Sequence, residues 1–428
     1  MTNRRVLLIA YHFPPLQGSS GIHRTLAFSR YLRDFGWQAT VLTVSERAFE
    51  DAPAANLQMI PAHVDVIRAQ AWDCARHFAL GGRYPNFAAR PDRWASWIPF
   101  GVIASLRELD RRHYDAIFST FPIASAHVIA RALHRHTRLP WLADFRDPMA
   151  TSTYPTDPAI RRSWTRIQDS AFDLASRIIV TTPGAADFYC KTYPSADSSR
   201  LVVISNGFDP ESLTGSDQPA PNEHASGPTI LLHSGTIYPR ERDPAPFFRA
   251  LKALRASGKI STATLQVRLR ASGSDDKFRR MIAEHGLGDI VLLAPSIPYL
   301  QALQEMNSVD ALLIFQASVC NQQIPAKAYE YLFAGRPILA LADPDGDTGQ
   351  LMRRFGVPGI AALEDERQIA EMLAVQLPRI RAGHYPVAPR EAVMALSRRS
   401  RAAELARQLD AVASNAAPSS PVTGSRMK

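Results

Sequence analysis

Short runs of Val, Ile and Leu, lacking the polar alternation of a half-exposed strand, recur along the whole chain. In the first half they are RVLLIAY (5–11), ATVLTV (39–44), VDVIRA (64–69), DAIFST (115–120), PWLADF (140–145) and RIIVTT (177–182). In the second half they are TILLHSG (229–235), LQVRLRAS (265–272), IVLLAP (290–295), ALLIFQ (311–316), PILALAD (337–343) and GIAALE (359–364). Continuous apolar strands are buried on both faces, as in parallel sheets covered by helices. The stretches between supply those helices: HRTLAFSRYLRDFG is apolar at Leu26, Phe28, Tyr31 and Leu32 and stops at Gly36. The class expected is α/β, doubly wound.

A chain of 428 residues is too long for one compact core. The stretch SNGFDPESLTGSDQPAPNEHASGP (205–228) is dense in Gly, Pro, Ser, Asp and Asn, the composition of a linker. The expected organisation is therefore two Rossmann-like domains, 1–206 and 229–390, joined by a linker over 207–228. A long amphipathic helix is expected over 391–412, and a disordered tail over 413–428.

Several classes are disfavoured. No apolar run approaches the ~18 residues of a membrane span, and FPP interrupts the apolar start, which reads as a buried strand and not a signal peptide. Three scattered cysteines without metal spacing fit a reduced cytoplasmic protein. Residues 1–205 hold 24 Lys/Arg against 17 Asp/Glu, a net +7, and the remainder 25 against 23, a net +2. That asymmetry fits attraction to anionic lipid or phosphorylated ligands, or simply an arginine-rich composition. No basic–aromatic interleaving points to nucleic acid.

Ligands of open α/β sheets bind beyond the carboxyl ends of the strands, and five stretches fall there. YHFPPLQGSSGIHR offers Gly18 and Gly21 for close backbone approach, then His23 and Arg24 at a helix start. FSTFPIASAH places Thr120 and His127 about a proline turn, and ADFRDPM places Asp144, Arg146 and Asp147 just past a buried strand. These are open between a structural role and a substrate-facing one. LHSGTIYPRERDP ends a strand on Gly235 and Thr236, followed by Arg240 and Arg242, planar cations suited to phosphate. IPAKAYEYLFAGRPILALAD sets Lys327 and Glu330 one turn apart at a helix start, a cation for an anion and a carboxylate for a vicinal diol.

The order and spacing of LLIAYHFPPLQGSSGIHRT, WLADFRDP, VVISNGFD and IPAKAYEYLFAGRPILA resemble the retaining glycosyltransferases of family 4, over residues 5–412. The resemblance implies a GT-B fold, two Rossmann-like domains facing across a cleft, with the terminal helix crossing back to the first. It implies a nucleotide-diphosphate sugar as donor, with no metal or other cofactor. Glu330 would hold the ribose hydroxyls, and Lys327 with Arg240 or Arg242 would neutralise the diphosphate as Gly235 and Thr236 approach it. The loop Gly18–Gly21 would close over donor and acceptor, and His23, Arg24, Thr120, His127, Asp144, Arg146 and Asp147 would stand on the acceptor side.

The family commonly carries a glutamate eight positions before the one at 330, contacting the donor sugar; here that position is Gln322, which keeps a hydrogen-bonding carbonyl and loses the charge. The implied activity is retaining transfer to a hydroxyl of a glycan or lipid-linked acceptor, in cell-surface polysaccharide or lipopolysaccharide assembly. Rivals are a nucleotide-sugar epimerase of the same fold, a catalytically silent scaffold, and an NAD-binding oxidoreductase using Glu46 after the second strand. RPDRWASWIPFGVIASL (90–106) sets Trp94, Trp97 and Phe100 beside arginines, open between peripheral contact with the inner membrane's cytoplasmic face and a buried helix.

Overall fold

The computed structural model describes residues 4–17, 21–79, 84, 89–213, 227–239 and 241–414. Gly18, Arg240, most of the expected linker and the tail from 415 fall outside them.

The described residues form two parallel sheets. The first holds seven strands: β1 Arg4–Ile9, β2 Trp37–Val44, β3 Asp65–Ala69, β4 Ala116–Thr120, β5 Trp141–Arg146, β6 Arg177–Val180 and β7 Leu201–Val203, in the order β3-β2-β1-β4-β5-β6-β7. The second holds six: β8 Thr229–Ser234, β9 Leu265–Arg270, β10 Val291–Ala294, β11 Ala311–Gln316, β12 Ile338–Ala342 and β13 Gly359–Ala361, in the order β10-β9-β8-β11-β12-β13. Each apolar run read from the sequence is one of these strands. β7 is the addition, three residues long at the sheet edge and only partly buried.

Strand order reverses beside β1 in one sheet and beside β8 in the other, so the crevices of the two doubly wound sheets open at the β1/β4 and β8/β11 carboxyl ends. By contacts the chain forms two compact units, one of residues up to 181, 186–204 and 401 onward, the other of 182–185 and 205–400. The first core joins Val6 and Leu8 of β1 to Phe28, Phe118, Leu142 and Ile179. Leu405 and Leu409 complete it, from the helix Arg398–Ser414. In that helix Asp410 accepts hydrogen bonds from Trp37 Nε1 at 3.0 Å and Arg4 at 2.9 Å.

The single helix expected over 391–412 is two, Arg390–Met394 and Arg398–Ser414. Ser397 between them pairs as an isolated bridge with Phe208, whose carbonyl accepts from the Arg398 N–H at 2.8 Å. Gly207 permits this approach, since a Cβ there would stand 2.3 Å from the Leu396 carbonyl oxygen. A backbone partner distant in sequence overrides the local helical pattern. Trp97 is wholly buried, and Trp94, half-buried, packs on Tyr11 at 4.6 Å between ring centroids.

Candidate functional site

In the second unit, chemistry gathers where β8 ends beside β11. The Ser234 N–H donates to the Tyr331 hydroxyl at 2.9 Å, closing the strand. Gly235 then turns the chain at φ +106°, a conformation only glycine adopts cheaply. A Cβ at this glycine would lie 3.3 Å from Lys327 Nζ, so the ammonium nearly touches the turn.

Lys327 stands in the first turn of the helix Ala326–Ala334, which Pro325 caps and Gly335 ends in the left-handed conformation. Its Nζ is 2.8 Å from His233 Nε2, and His233 Nδ1 is 2.8 Å from the Leu313 carbonyl oxygen. A carbonyl only accepts, so Nδ1 carries the imidazole proton and Nε2 offers its lone pair to the lysine. Burial, and next the charge of Lys327, pushes the imidazole well below its ordinary pKa, which keeps it neutral. Lys327 is itself pushed well below its ordinary pKa by burial and then by Arg242, with Glu330 opposing. An anion beside such a lysine favours its charged form, so anion binding here is coupled to protonation of Lys327.

Arg242 lies with its guanidinium 5.3 Å from the Tyr238 ring centroid. Its Nη1 is 3.5 Å from the Thr236 carbonyl, and its Nε is buried without a hydrogen-bond partner. Thr236 is exposed at the start of this loop. Glu330, one helical turn beyond Lys327, accepts from the Tyr299 hydroxyl at 2.8 Å and has Arg398 Nη2 3.8 Å from the same carboxylate oxygen. Gln322 is half-buried in the turn between the short 3-10 segment Ser318–Cys320 and the helix Ala326–Ala334. The structure thus brings Gly235, Thr236, Arg242, Lys327 and Glu330 to one crevice edge. Sequence reading missed His233, Tyr299 and Arg398. Only His233 left a signal, a histidine ending an apolar strand one residue before Ser-Gly.

In the first unit, four of the candidates form one buried network. Asp144 accepts a bidentate pair from Arg24, Nε and Nη2 each at 2.9 Å, and a third bond from Thr120 Oγ1 at 2.8 Å. Arg24 also donates to the Ile204 carbonyl. Arg146 donates through Nε to Thr120 Oγ1 at 2.9 Å and through Nη2 to the Gly21 carbonyl at 3.0 Å. Its backbone sits at φ +61° beside a register shift in β5, which turns the guanidinium back over the strand end. Burial lowers its pKa to about 10, so it stays cationic at neutral pH.

Arg24 answers the charge of Asp144. Asp147, pushed up by burial and held by Thr181, is the second carboxyl near Arg146. His12, also missed from sequence, is lowered to about 3 by burial and then by Arg146. His23 is partly buried in the first turn of the helix Gly21–Tyr31. His127 is set apart: wholly buried, with Nδ1 2.7 Å from Ser119 Oγ and its ring edge-on to Phe145. Among the described residues no three His, Cys, Asp or Glu side chains cluster as a metal site would need, and no helix is long and apolar enough to cross a membrane.

Two parallel doubly wound α/β domains, with polar crevices at the carboxyl ends of their central strands, define the GT-B class. Residues 23–212 match the family model described as Glycosyltransferase Family 4. Its fold is similar to that of sucrose-phosphate synthase from Thermosynechococcus elongatus, at 14% identity over 96% of this chain and 100% of that one, TM-score 0.65. It is also similar to Anabaena HepE, solved in complex with UDP and glucose, at 14% identity over 95% and 99%, TM-score 0.65. A third similar structure is WaaG, a glycosyltransferase involved in lipopolysaccharide biosynthesis, at 13% identity over 96% and 99%, TM-score 0.58. At such identities the likeness is one of fold. No curated protein matches the sequence.

Proposed function

We propose that the protein is a retaining glycosyltransferase that moves a sugar from a nucleotide-diphosphate donor to an acceptor hydroxyl. The observation that carries this reading is the meeting of the Lys327 ammonium with the Gly235 turn, with the unpartnered Nε of Arg242 close by. Lys327 and Arg242, with Arg240 from the same loop, receive the diphosphate, and Gly235 and Thr236 let it approach the backbone. Glu330 accepts from the ribose hydroxyls. Gln322 faces the sugar through neutral hydrogen bonds in place of a carboxylate.

The bond from the sugar's anomeric carbon to the diphosphate breaks, and one to the acceptor oxygen forms on the same face, releasing nucleoside diphosphate and a proton. Charge grows on the diphosphate as the bond breaks, so cations already in place stabilise the transition state more than the ground state. That role falls to protein cations, without a metal. On the acceptor side, the loop Gly18–Gly21 with His23, Arg146 and Asp147 meets a glycan or lipid-linked hydroxyl, while Arg24, Thr120 and Asp144 brace Arg146. The similarity to WaaG, a glycosyltransferase involved in lipopolysaccharide biosynthesis, favours a place in cell-surface polysaccharide or lipopolysaccharide assembly, and we place that work on the cytoplasmic side of the membrane as part of the same proposal.

A thermal-shift panel of UDP-, ADP- and GDP-sugars on the wild type and Glu330→Ala tests this, since a bound donor raises the melting temperature. At least one donor should stabilise the wild type and do so less for the variant. With an acceptor extract, nucleoside diphosphate should then be released with transfer of the sugar. No stabilisation by any nucleotide would overturn the donor-site assignment. An altered sugar produced without acceptor would make the protein an epimerase, and binding without turnover a silent scaffold.

A further inference from the structure

The ladder between β8 and β11 is short. Only Ala311↔Leu231 and Leu312↔Leu232 pair, although β8 runs on to Ser234 and β11 to Gln316. The two strands part at their carboxyl ends, and the Leu313 carbonyl is met by a side chain, the imidazole of His233, instead of a strand amide. The ring is wholly buried and fixed on one side by Phe315, 4.9 Å between centroids. Its other nitrogen faces Lys327.

We infer that His233 is a positioning residue, which holds the Lys327 side chain against the Gly235 turn where the ammonium meets the donor's diphosphate. This rests on the donor-site reading above. A lysine has four rotatable bonds and loses rotamer freedom when a ligand fixes it. An acceptor already holding Nζ meets that cost during folding, so binding does not. The acceptor's chemistry matters as much as its place. A carboxylate at 233 would pair with the ammonium and cancel the charge the diphosphate needs. A neutral imidazole, with its proton committed to Leu313, orients the amine and leaves its charge to the ligand. Arg242 and Glu330 are the other charged groups bearing on Lys327, the first lowering its pKa and the second raising it.

Two isosteric replacements separate orientation from packing. His233→Asn keeps an amide N–H where Nδ1 reaches Leu313 and removes the atom facing Lys327. His233→Gln places its carbonyl oxygen near the position of Nε2 and keeps the contact with Lys327. Calorimetric titration with UDP, ADP and GDP should show a loss on the order of tenfold in affinity for His233→Asn, the worth of one hydrogen bond to a charged group. His233→Gln should stay near the wild type. In a Lys327→Ala background His233→Asn should cost nothing more, because the residue acts through the lysine.

Equal losses in both variants, or a loss by His233→Asn that persists in full without Lys327, would show a packing role and overturn the inference while the donor site stands. Absence of nucleotide binding by the folded wild type would overturn both readings. Melting curves of each variant without ligand report any folding defect separately.

Discussion

The Tyr299 hydroxyl donates to Glu330 Oε1 at 2.8 Å, tying the start of one helix to the carboxylate that another points toward the β8/β11 crevice. Tyr299 keeps about a third of its surface exposed (36%), so its ring is not a main element of the core. Tyr299→Phe removes only the hydroxyl. If Glu330 grips the ribose, its freed carboxylate loses orientation, and the KM for the donor should rise severalfold, the worth of roughly 1 kcal/mol. The melting temperature should barely change. Steady-state kinetics at saturating acceptor would check this, and an unchanged KM would remove Tyr299 from the site.

Gly235 carries two constraints that a single substitution tests together. Alanine at φ +106° is strained by about 1–3 kcal/mol, and its Cβ would press on Lys327 Nζ from 3.3 Å. Gly286 is the control: it too has a positive φ, +65°, but nothing within 4 Å of an added Cβ. Gly286→Ala should lower the melting temperature by a few degrees and leave nucleotide stabilisation intact. Gly235→Ala should lower it and abolish nucleotide stabilisation as well, read in the same thermal-shift assay.

The Arg24–Asp144 pair should prove structural in energy. Both side chains are nearly inaccessible, at 6% and 0% exposure. Removing Arg24 leaves the buried carboxylate of Asp144 with only Arg146 Nε, at 3.8 Å, and the Thr120 hydroxyl, at a cost toward the lower end of the about 3–5 kcal/mol of a broken buried pair. Arg24→Met should therefore destabilise the first unit strongly, and adding Asp144→Asn should recover part of the loss. All six tryptophans lie in that unit, so urea unfolding followed by tryptophan fluorescence isolates its transition. Equal destabilisation by the single and double variants would mean the guanidinium acts mainly through Ile204.

The strands were legible because parallel sheets bury both faces, and an unbroken apolar run survives any choice of partner. Two doubly wound domains followed from their number and the break near 207, and the GT-B class only from the resemblance of the motifs. Lys327 and Glu330 were legible because both lie in one helical turn, where spacing fixes the face. Their partners were not. His233, Tyr299 and Arg398 reach them from 94, 31 and 68 residues away, a closeness that topology sets and local pattern does not. The Arg24–Asp144 pair, 120 residues apart, was hidden for the same reason. The break at Ser397 was hidden because its cause is the backbone of Phe208. The local sequence from 391 onward remains helical in character.

His127 gives the first unit a pH dependence of definite sign. The imidazole is wholly buried, and burial lowers its pKa to about 3, whereas an unfolded histidine titrates near 6.5. Between those values the unfolded chain takes up a proton that the folded one refuses, so acid favours unfolding. The stability this residue confers is present above about pH 6.5 and is lost progressively as the pH falls toward 3. Between pH 7 and pH 5 the loss should be roughly 2 kcal/mol, set by the unfolded pKa as long as the folded one lies well below 5. His127→Asn keeps a polar group facing Ser119 and cannot titrate. Its unfolding free energy, from urea titration followed by tryptophan fluorescence, should fall less between pH 7 and pH 5 than the wild type's, by that amount. Parallel pH profiles for the two proteins would show that His127 is protonated in the folded state, against the burial seen here.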